Sequence, residues 1–387
     1  MKSAVLHLGS GPPSPRELAE RLRQAAGGLP PPDGPPSFVL AFLPPAPALP
    51  ATLAALAAAF PAALVFGCEA VTQFAGDGVT GRGSLQLFWL ERPEHRAEVL
   101  VIGGARGPGL DGEAVERAAT ALAQADSAFL LCDGLRFPAW ELLEALRERL
   151  PEGTAPPVVG GLASQREPIE GAGARVFVGG EVLESACLLV LFHGLEMEVE
   201  VVRGWDPASP IFTVTGASGD VLHSIDGEPA ASWFRRFFTV DGGLAPMPES
   251  AHRFPLIIEG PRPDRRRLYR SMKAFDDPPG AVTFWGDVQP GDRVRLGMGN
   301  DASLLRTAAR LPASSAPEAA VLYSCVGREV VLGELAEKEV ATIHSALRGA
   351  SLGGFFTFGE IGPAAGGGGL AFYNQTAVLA LLRERPA

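Results

Sequence analysis

The sequence predicts an α/β (α+β) protein in which helices cover mixed β-sheets. Three observations carry this: short apolar runs that read as strands, stretches of helical period alternating with them, and frequent breaks at glycine and proline. With 47 Gly and 35 Pro among 387 residues, turns and stiff connections are numerous. A content of 47% hydrophobic and 20% charged residues supports a large core and excludes a chain disordered throughout. The length corresponds to about two to three domains of ordinary size.

Ser14-Pro15-Arg16-Glu17 opens the first predicted helix, to about Ala26, with Ser14 as N-cap, Pro15 at the first helical position and Glu17 closing a capping box. The Pro-rich connector Pro30 to Pro36 follows. From Phe38 to Cys68 the chain carries no charge and exceeds the roughly 20 residues that cross a bilayer. Pro44, Pro45, Pro47, Pro50 and Pro61 instead divide it into a strand (Ser37 to Leu43), an Ala-rich helix (Ala51 to Phe60) and a second strand (Ala62 to Gly67). Ser84 to Glu91 and Ala97 to Ile102 then read as strands paired in a hairpin.

A helix over Glu113 to Gln124 leads into the apolar strand Ala128 to Cys132. Pro138 opens the helix Ala139 to Leu150, with Leu142, Leu143 and Leu146 on one face. A short strand ends in Val158-Val159-Gly160-Gly161, and Arg175 to Val178 reads as paired with Ala186 to His193. No internal repeat stands out. From Leu195 to about Arg310 short β-type runs dominate, which places a boundary near residues 195–205 and divides the chain into parts 1–200 and 201–387. Within this region Pro210 to Thr215 and Val221 to Ile225 form a hairpin, and Pro229 can start a helix. Leu335 to Arg348 is a helix with Ala336, Val340, Ile343 and Leu347 on one face. Gly353 to Ile361 and Leu370 to Leu381 read as strands around the Gly366 to Gly369 loop.

Composition excludes several functions. The 33 Lys and Arg against 44 Asp and Glu give a net charge of −11, which argues against nucleic acid or an anionic membrane as partner. Cys68, Cys132, Cys187 and Cys325 are far apart, with no zinc-ligand spacing, so neither a metal site nor a disulfide framework is expected and the chain reads as reduced and cytoplasmic. The N-terminus has no secretory apolar core or cleavage site. The loop Gly103 to Gly109 lacks both the P-loop ending and the dinucleotide spacing, so no cofactor is expected.

For nucleophilic catalysis the best thiol is Cys325, at the end of Ala320-Val321-Leu322-Tyr323-Ser324-Cys325 and just before Gly327-Arg328. An adjacent arginine favours a thiolate, but the needed base is not evident, since His344 lies at the edge of the apolar face of the next helix. Cys325 therefore reads as a packed thiol, a ligand contact or a nucleophile. No serine elbow or metalloprotease helix is present. The chain reads as a non-enzyme, with a Cys325-dependent hydrolase or transferase as the alternative.

The most concentrated polar constellation is C-terminal: Cys325-Val326-Gly327-Arg328, then Phe358-Gly359-Glu360-Ile361, then Tyr373-Asn374-Gln375-Thr376. A glutamate inside an aromatic, glycine-flanked strand is costly to bury without a partner. Two readings stand. Arg328 pairs with Glu360 to hold the sheet together, or the two receive the opposite charges of a zwitterionic ligand, Arg328 gripping a carboxylate and Glu360 an ammonium. In the second reading Asn374 supplies a donor or acceptor, and Cys325, Tyr323 and Thr376 complete the site.

At these residues the chain resembles the FIST family, the ligand-sensing module of prokaryotic signal transduction also found in F-box proteins. Phe66-Gly67-Cys68, Leu130-Leu131-Cys132-Asp133-Gly134 and Val158-Val159-Gly160-Gly161 echo its N-terminal part. Arg203-Gly204-Trp205, Ile225-Asp226-Gly227-Glu228-Pro229, Gly286-Asp287-Val288-Gln289-Pro290-Gly291-Asp292, Ser324-Cys325 with Arg328, Gly359-Glu360-Ile361 and Asn374-Gln375-Thr376 follow its C-terminal pattern in order. Glu69 and Ala163-Ser164-Gln165 depart from the N-terminal pattern. The resemblance implies a two-part FIST protein, a cytoplasmic sensor of an amino acid or similar metabolite that signals through another protein in trans. A pure interaction scaffold is the alternative.

Overall fold

The computed structural model describes residues 1–8, 17, 34–46, 49–103, 110–150, 155–165, 174–240, 243–244, 252–260, 265–311, 316–365 and 369–386. The predicted helix from Ser14 to Ala26, most of the Pro30 to Pro36 connector, and the glycine loops at 104–109 and 366–368 lie outside them. Mixed sheets and helices alternate as the sequence predicts.

Three parallel crossover units organise the structure. Phe38–Leu43 pairs with Leu64–Glu69 across the helix Leu49–Ala59, and Ser127–Cys132 pairs with Val158–Leu162 across the helix Ala139–Arg149. Ala319–Cys325 pairs with Ser351–Thr357 across the helices Val326–Leu332 and Ala336–Ala346. Each unit sits in its own six-stranded sheet. Because strand side chains alternate, Leu40 and Phe42, Phe129 and Leu131, and Val321 and Tyr323 face one common core. Ala41, Leu130 and Leu322 face separate clusters beneath the helices. Aromatic rings join the three sheets: Phe38 meets Phe192 at 5.4 Å, Phe129 meets Tyr323 at 6.0 Å, and Phe42 meets Phe355 at 4.7 Å between centroids.

The units are a structural repeat that the sequence conceals. At one register position in each, a glycine on the second strand faces the first: Gly67 opposite Ala41, Gly160 opposite Leu130, Gly354 opposite Leu322. A Cβ there would lie 1.7, 1.8 and 2.0 Å from the carbonyl oxygen of that partner. Little else in the sequences of the units repeats.

Strands on either side of residue 200 share two of the sheets. Gln73–Ala75 and Gly78–Thr80 extend the sheet of Ala319–Cys325, whereas Glu360–Pro363 and Leu370–Tyr373 extend that of Val158–Leu162. Nine strands lying between Asp206 and Met298 form a separate sheet packed on the helix Ala230–Phe238, whose Trp233, Phe234 and Phe238 are buried. Pro229 caps that helix, and Phe212–Ser218 with Val221–Ile225 form the expected antiparallel pair.

Two expected pairings are corrected. Ser84–Trp89 and Arg96–Gly103 lie in different sheets: the first is buried along its whole length between Lys2–His7 and Phe38–Leu43, while the second is a half-open edge on Ala186–His193. Val176–Val178 pairs with Glu181–Leu183 and Leu64–Glu69 rather than with Ala186–His193. In the first case the strands nearest in sequence divide between two sheets, and in the second the nearer strand, Glu181–Leu183, takes the place of the longer apolar run beyond it.

Candidate functional site

The polar constellation falls where the chain changes sheets. After Ser351–Thr357 the backbone crosses at Phe358-Gly359 into the neighbouring sheet for Glu360–Pro363 and Leu370–Tyr373, then returns at Asn374-Gln375-Thr376 to run as Ala377–Glu384 beside Ala319–Cys325. The strands read from sequence as continuous over Gly353 to Ile361 and Leu370 to Leu381 are thus each broken at these crossings. A crossing backbone loses its ladder partners, so side chains must supply them.

Glu360 is completely buried at the first crossing. Its Oε2 accepts from the Thr376 backbone N–H at 3.1 Å and the Thr376 hydroxyl at 2.8 Å, while Oε1 has no partner among the described residues. Burial outweighs the hydrogen bonds from Thr376 and Cys325 and the nearby Arg328 charge, and lifts the carboxyl to about 8. Glu360 is therefore held mainly as the neutral acid at pH 7, a hydrogen-bond donor rather than the carboxylate expected from sequence. Asn374 accepts weakly from the Ser271 N–H at 3.4 Å, and Gln375, in the left-handed region at φ 59°, donates to the Ser271 hydroxyl at 2.8 Å. Asn374 Nδ2 and Gln375 Oε1 are buried without partners among the described residues.

Arg328 does not pair with Glu360. In the first turn of Val326–Leu332 its guanidinium holds the Glu339 carboxylate through Nη2 and Nε, both side chains being buried, and it lies 5.5 Å from the Trp205 ring centre. Nη1 has no hydrogen-bond partner among the described residues. Glu339 escaped the sequence reading although it sits three residues after Ala336 and four before Ile343, on the apolar stripe of its helix; a charged residue on that stripe is the signal for a buried partner. Ser271 carried no comparable signal.

Cys325 N–H donates to the Thr376 carbonyl at 2.9 Å, and its thiol stands beside Glu360. Burial, then the Glu360 charge, push the thiol well above its usual range, which opposes thiolate chemistry. His344 packs by Gly76, at the level of Leu352, about 16 Å along the strand from the Thr357 that pairs with Cys325. Tyr323 lies away from the cluster, its ring against Phe129 and Phe355 in the central core, and burial raises its hydroxyl well above the usual value.

A buried ionic network fixes the neighbouring strand. Arg270 donates to the Phe372 carbonyl at 3.0 Å and to Asp287 at 2.9 Å, and Arg265 bridges Asp287 and Asp292. Burial would raise the Asp287 carboxyl, but the charges of Arg270 and Arg265 prevail and hold it at about 2. The segment Gly286 to Asp292 thus anchors Leu370–Tyr373 just before the second crossing.

The equivalent strand ends of the other units are closed. Arg175 grips Glu69 with two side-chain hydrogen bonds of 2.8 Å, and Asp133 accepts from the backbone of Leu135, Arg136 and Ser185. At those two ends, among the described residues, Gln165 Oε1 and the hydroxyl of Ser84, opposite Phe42, are buried without partners. In open α/β sheets ligands gather beyond the carboxyl ends of parallel strands, and here the unmet hydrogen bonding concentrates at the third unit. Among the described residues no group of three His, Cys, Asp or Glu could hold a metal, and no helix is long and apolar enough to cross a membrane.

The FIST N domain profile matches residues 37–228 and the FIST C domain profile residues 230–363. The chain belongs to the FIST family. FIST domains are generally sensory domains of signal transduction. This FIST chain is 30% identical over 288 residues to an uncharacterized protein of Mycobacterium bovis, covering 66% of this chain and 67% of that one. It is 28% identical over 347 residues to an uncharacterized protein of Mycobacterium tuberculosis, covering 85% and 86%. Within the FIST C match fall Arg270, Asp287, Arg328, Glu339 and Glu360, while Asn374 to Thr376 lie just beyond it.

The neutral Glu360 makes a pH dependence the expected result. Its folded value of about 8 lies above the ordinary carboxyl value of 4.5, so the native state holds a proton that the unfolded chain releases. The contribution of Glu360 to stability should be fully present below pH 4.5, fall by a few kcal/mol as pH rises to about 8, and stay level above that. Glu360→Gln keeps an acceptor for Thr376 and removes the titration. Urea denaturation from pH 5 to 8 should show a flatter profile for the variant, and parallel profiles would refute the assignment.

Proposed function

We propose that this FIST protein is a sensor for a small zwitterionic metabolite of the amino-acid class, bound at the sheet crossing by Arg328, Glu360, Asn374 and Gln375. The observation that supports this is a set of four fully buried side chains in the third unit and its crossings, each with one hydrogen-bonding atom unmet among the described residues: Arg328 Nη1, Glu360 Oε1, Asn374 Nδ2 and Gln375 Oε1. Buried polar atoms are nearly always satisfied, so a cluster of exceptions fits a ligand that supplies both donors and acceptors. Cys325 and Thr376 hold Glu360 in place, and Tyr323 belongs to the core. Recognition of an ammonium group would draw the proton from Glu360, so binding of such a ligand should release a proton below about pH 8. A nucleophilic Cys325 finds no support in its buried, raised thiol.

The reading includes a cytoplasmic setting and output through contact with a signalling protein. Cys132 and Cys187, free and buried with sulfurs 3.0 Å apart, fit a reducing compartment. A thermal-shift screen of amino acids tests the binding: a true ligand at 100 times its Kd should stabilise by about 2.7 kcal/mol. Asn374→Ala should remove the shift while melting cooperatively. If no amino acid shifts the wild type, or the shift survives in Asn374→Ala, the site is wrongly placed.

A further inference from the structure

On the side of the nine-stranded sheet that meets the helix Asp301–Ala308, a cleft of about 310 Å³ opens with unbalanced charge. Arg203, Arg267, Arg306 and Arg310 line it against only Asp206 and Glu259, an excess of positive charge on a chain of net charge −11. Among the described residues none of the four guanidiniums has a carboxylate partner.

One of the four is held there by strained backbone. Arg267 sits where the pairing of Leu256–Glu259 with Arg266–Arg270 slips register, with φ at 54° in the left-handed region that a long side chain rarely adopts. Such bulges redirect a side chain, and this one belongs to the cleft wall. Arg306, in the last turn of Asp301–Ala308, and Arg310, two residues past its end, are both exposed and line the same wall. Arg203 stacks over the Tyr373 ring at 5.5 Å, and its Nε is buried with no acceptor. The Tyr269 hydroxyl between them is already spent on the Trp205 carbonyl at 3.3 Å.

We propose that this cleft binds a small molecule through a phosphate or diphosphate group. Each guanidinium presents parallel N–H groups that match phosphate oxygens two at a time, and four of them on one cleft exceed what a single carboxylate can satisfy. A bound phosphoryl group also offsets the excess positive charge of the cleft and gives Arg203 Nε an acceptor. The site is separate from the sheet crossing, although they approach each other: a Cβ on Gly204, in the cleft wall, would lie 3.4 Å from Arg328 Nη1. The inference does not rest on the amino-acid reading.

Calorimetric titration of the full chain with pyrophosphate, at constant ionic strength and with chloride as control, tests it. Inorganic phosphate and a nucleoside diphosphate beside its nucleoside separate recognition of a free anion from that of an ester. Saturable pyrophosphate binding is expected, weakened about tenfold or more in the Arg306→Ala, Arg310→Ala double variant, whose exposed positions leave the melting temperature near that of the wild type. Asn374→Ala should leave it unchanged, which distinguishes failure here from failure at the crossing. Absence of saturable binding at millimolar pyrophosphate, or equal affinity in the double variant, would overturn the proposal.

Discussion

Glu339→Leu should destabilise the protein by about 3–5 kcal/mol, because it leaves the Arg328 guanidinium buried with its main counter-charge gone. Arg328 and Glu339 are both fully buried, and among the described residues no other carboxylate forms an ion pair with this arginine. The pair as a whole is a different quantity. Its Coulomb attraction is set against the desolvation of two ions, so removing both together in Arg328→Met, Glu339→Leu should restore most of the loss. Urea denaturation of the two single variants and the double variant measures this directly. A loss below 1 kcal/mol in Glu339→Leu would mean that Arg328 finds another partner, and the description of the third unit would need revision.

The second large effect is expected at the repeated glycines. Gly160→Ala must place a methyl group 1.8 Å from the Leu130 carbonyl oxygen, and Gly67→Ala one 1.7 Å from that of Ala41. Since the obstruction is backbone rather than a movable side chain, the strands must separate, and a cost beyond about 3 kcal/mol is expected for each. Gly180→Ala is the control, as its Cβ would meet nothing within 4 Å. Equal unfolding midpoints for Gly160→Ala and Gly180→Ala would show that the close strand approach is not what selects glycine.

Much of the fold was legible because local rules and burial agreed. The uncharged segment from Phe38 to Cys68 read correctly as strand, helix and strand, and the helix after Pro138 and the face containing Val340 and Ile343 appeared where periodicity placed them. What could not be read was which sheet each strand joins. Ser84–Trp89 and Arg96–Gly103 are close in sequence but divide between two sheets, a choice made by contacts with residues far along the chain. The site followed the same division. Glu360 and Asn374 stood out as polar residues in apolar strands, and the structure brings both to one crossing. The Arg328 partner was misassigned because pairing was judged from strand ends, whereas Glu339 arrives from a helix whose charged residues otherwise face solvent.

The exchange of strands between sheets also sets a timetable for synthesis. Phe74 is fully buried and Ala75 pairs with Gly353, so Gln73–Ala75 emerges from the ribosome nearly 280 residues before its partner exists. At about 5–20 residues per second that is roughly a quarter of a minute to a minute during which an apolar segment has no sheet to join. The first crossover unit can assemble early, but its outlying strands must wait, accessible to chaperones and to neighbouring nascent chains. Translation speed between residues 75 and 353 therefore governs how long this protein remains open to aggregation.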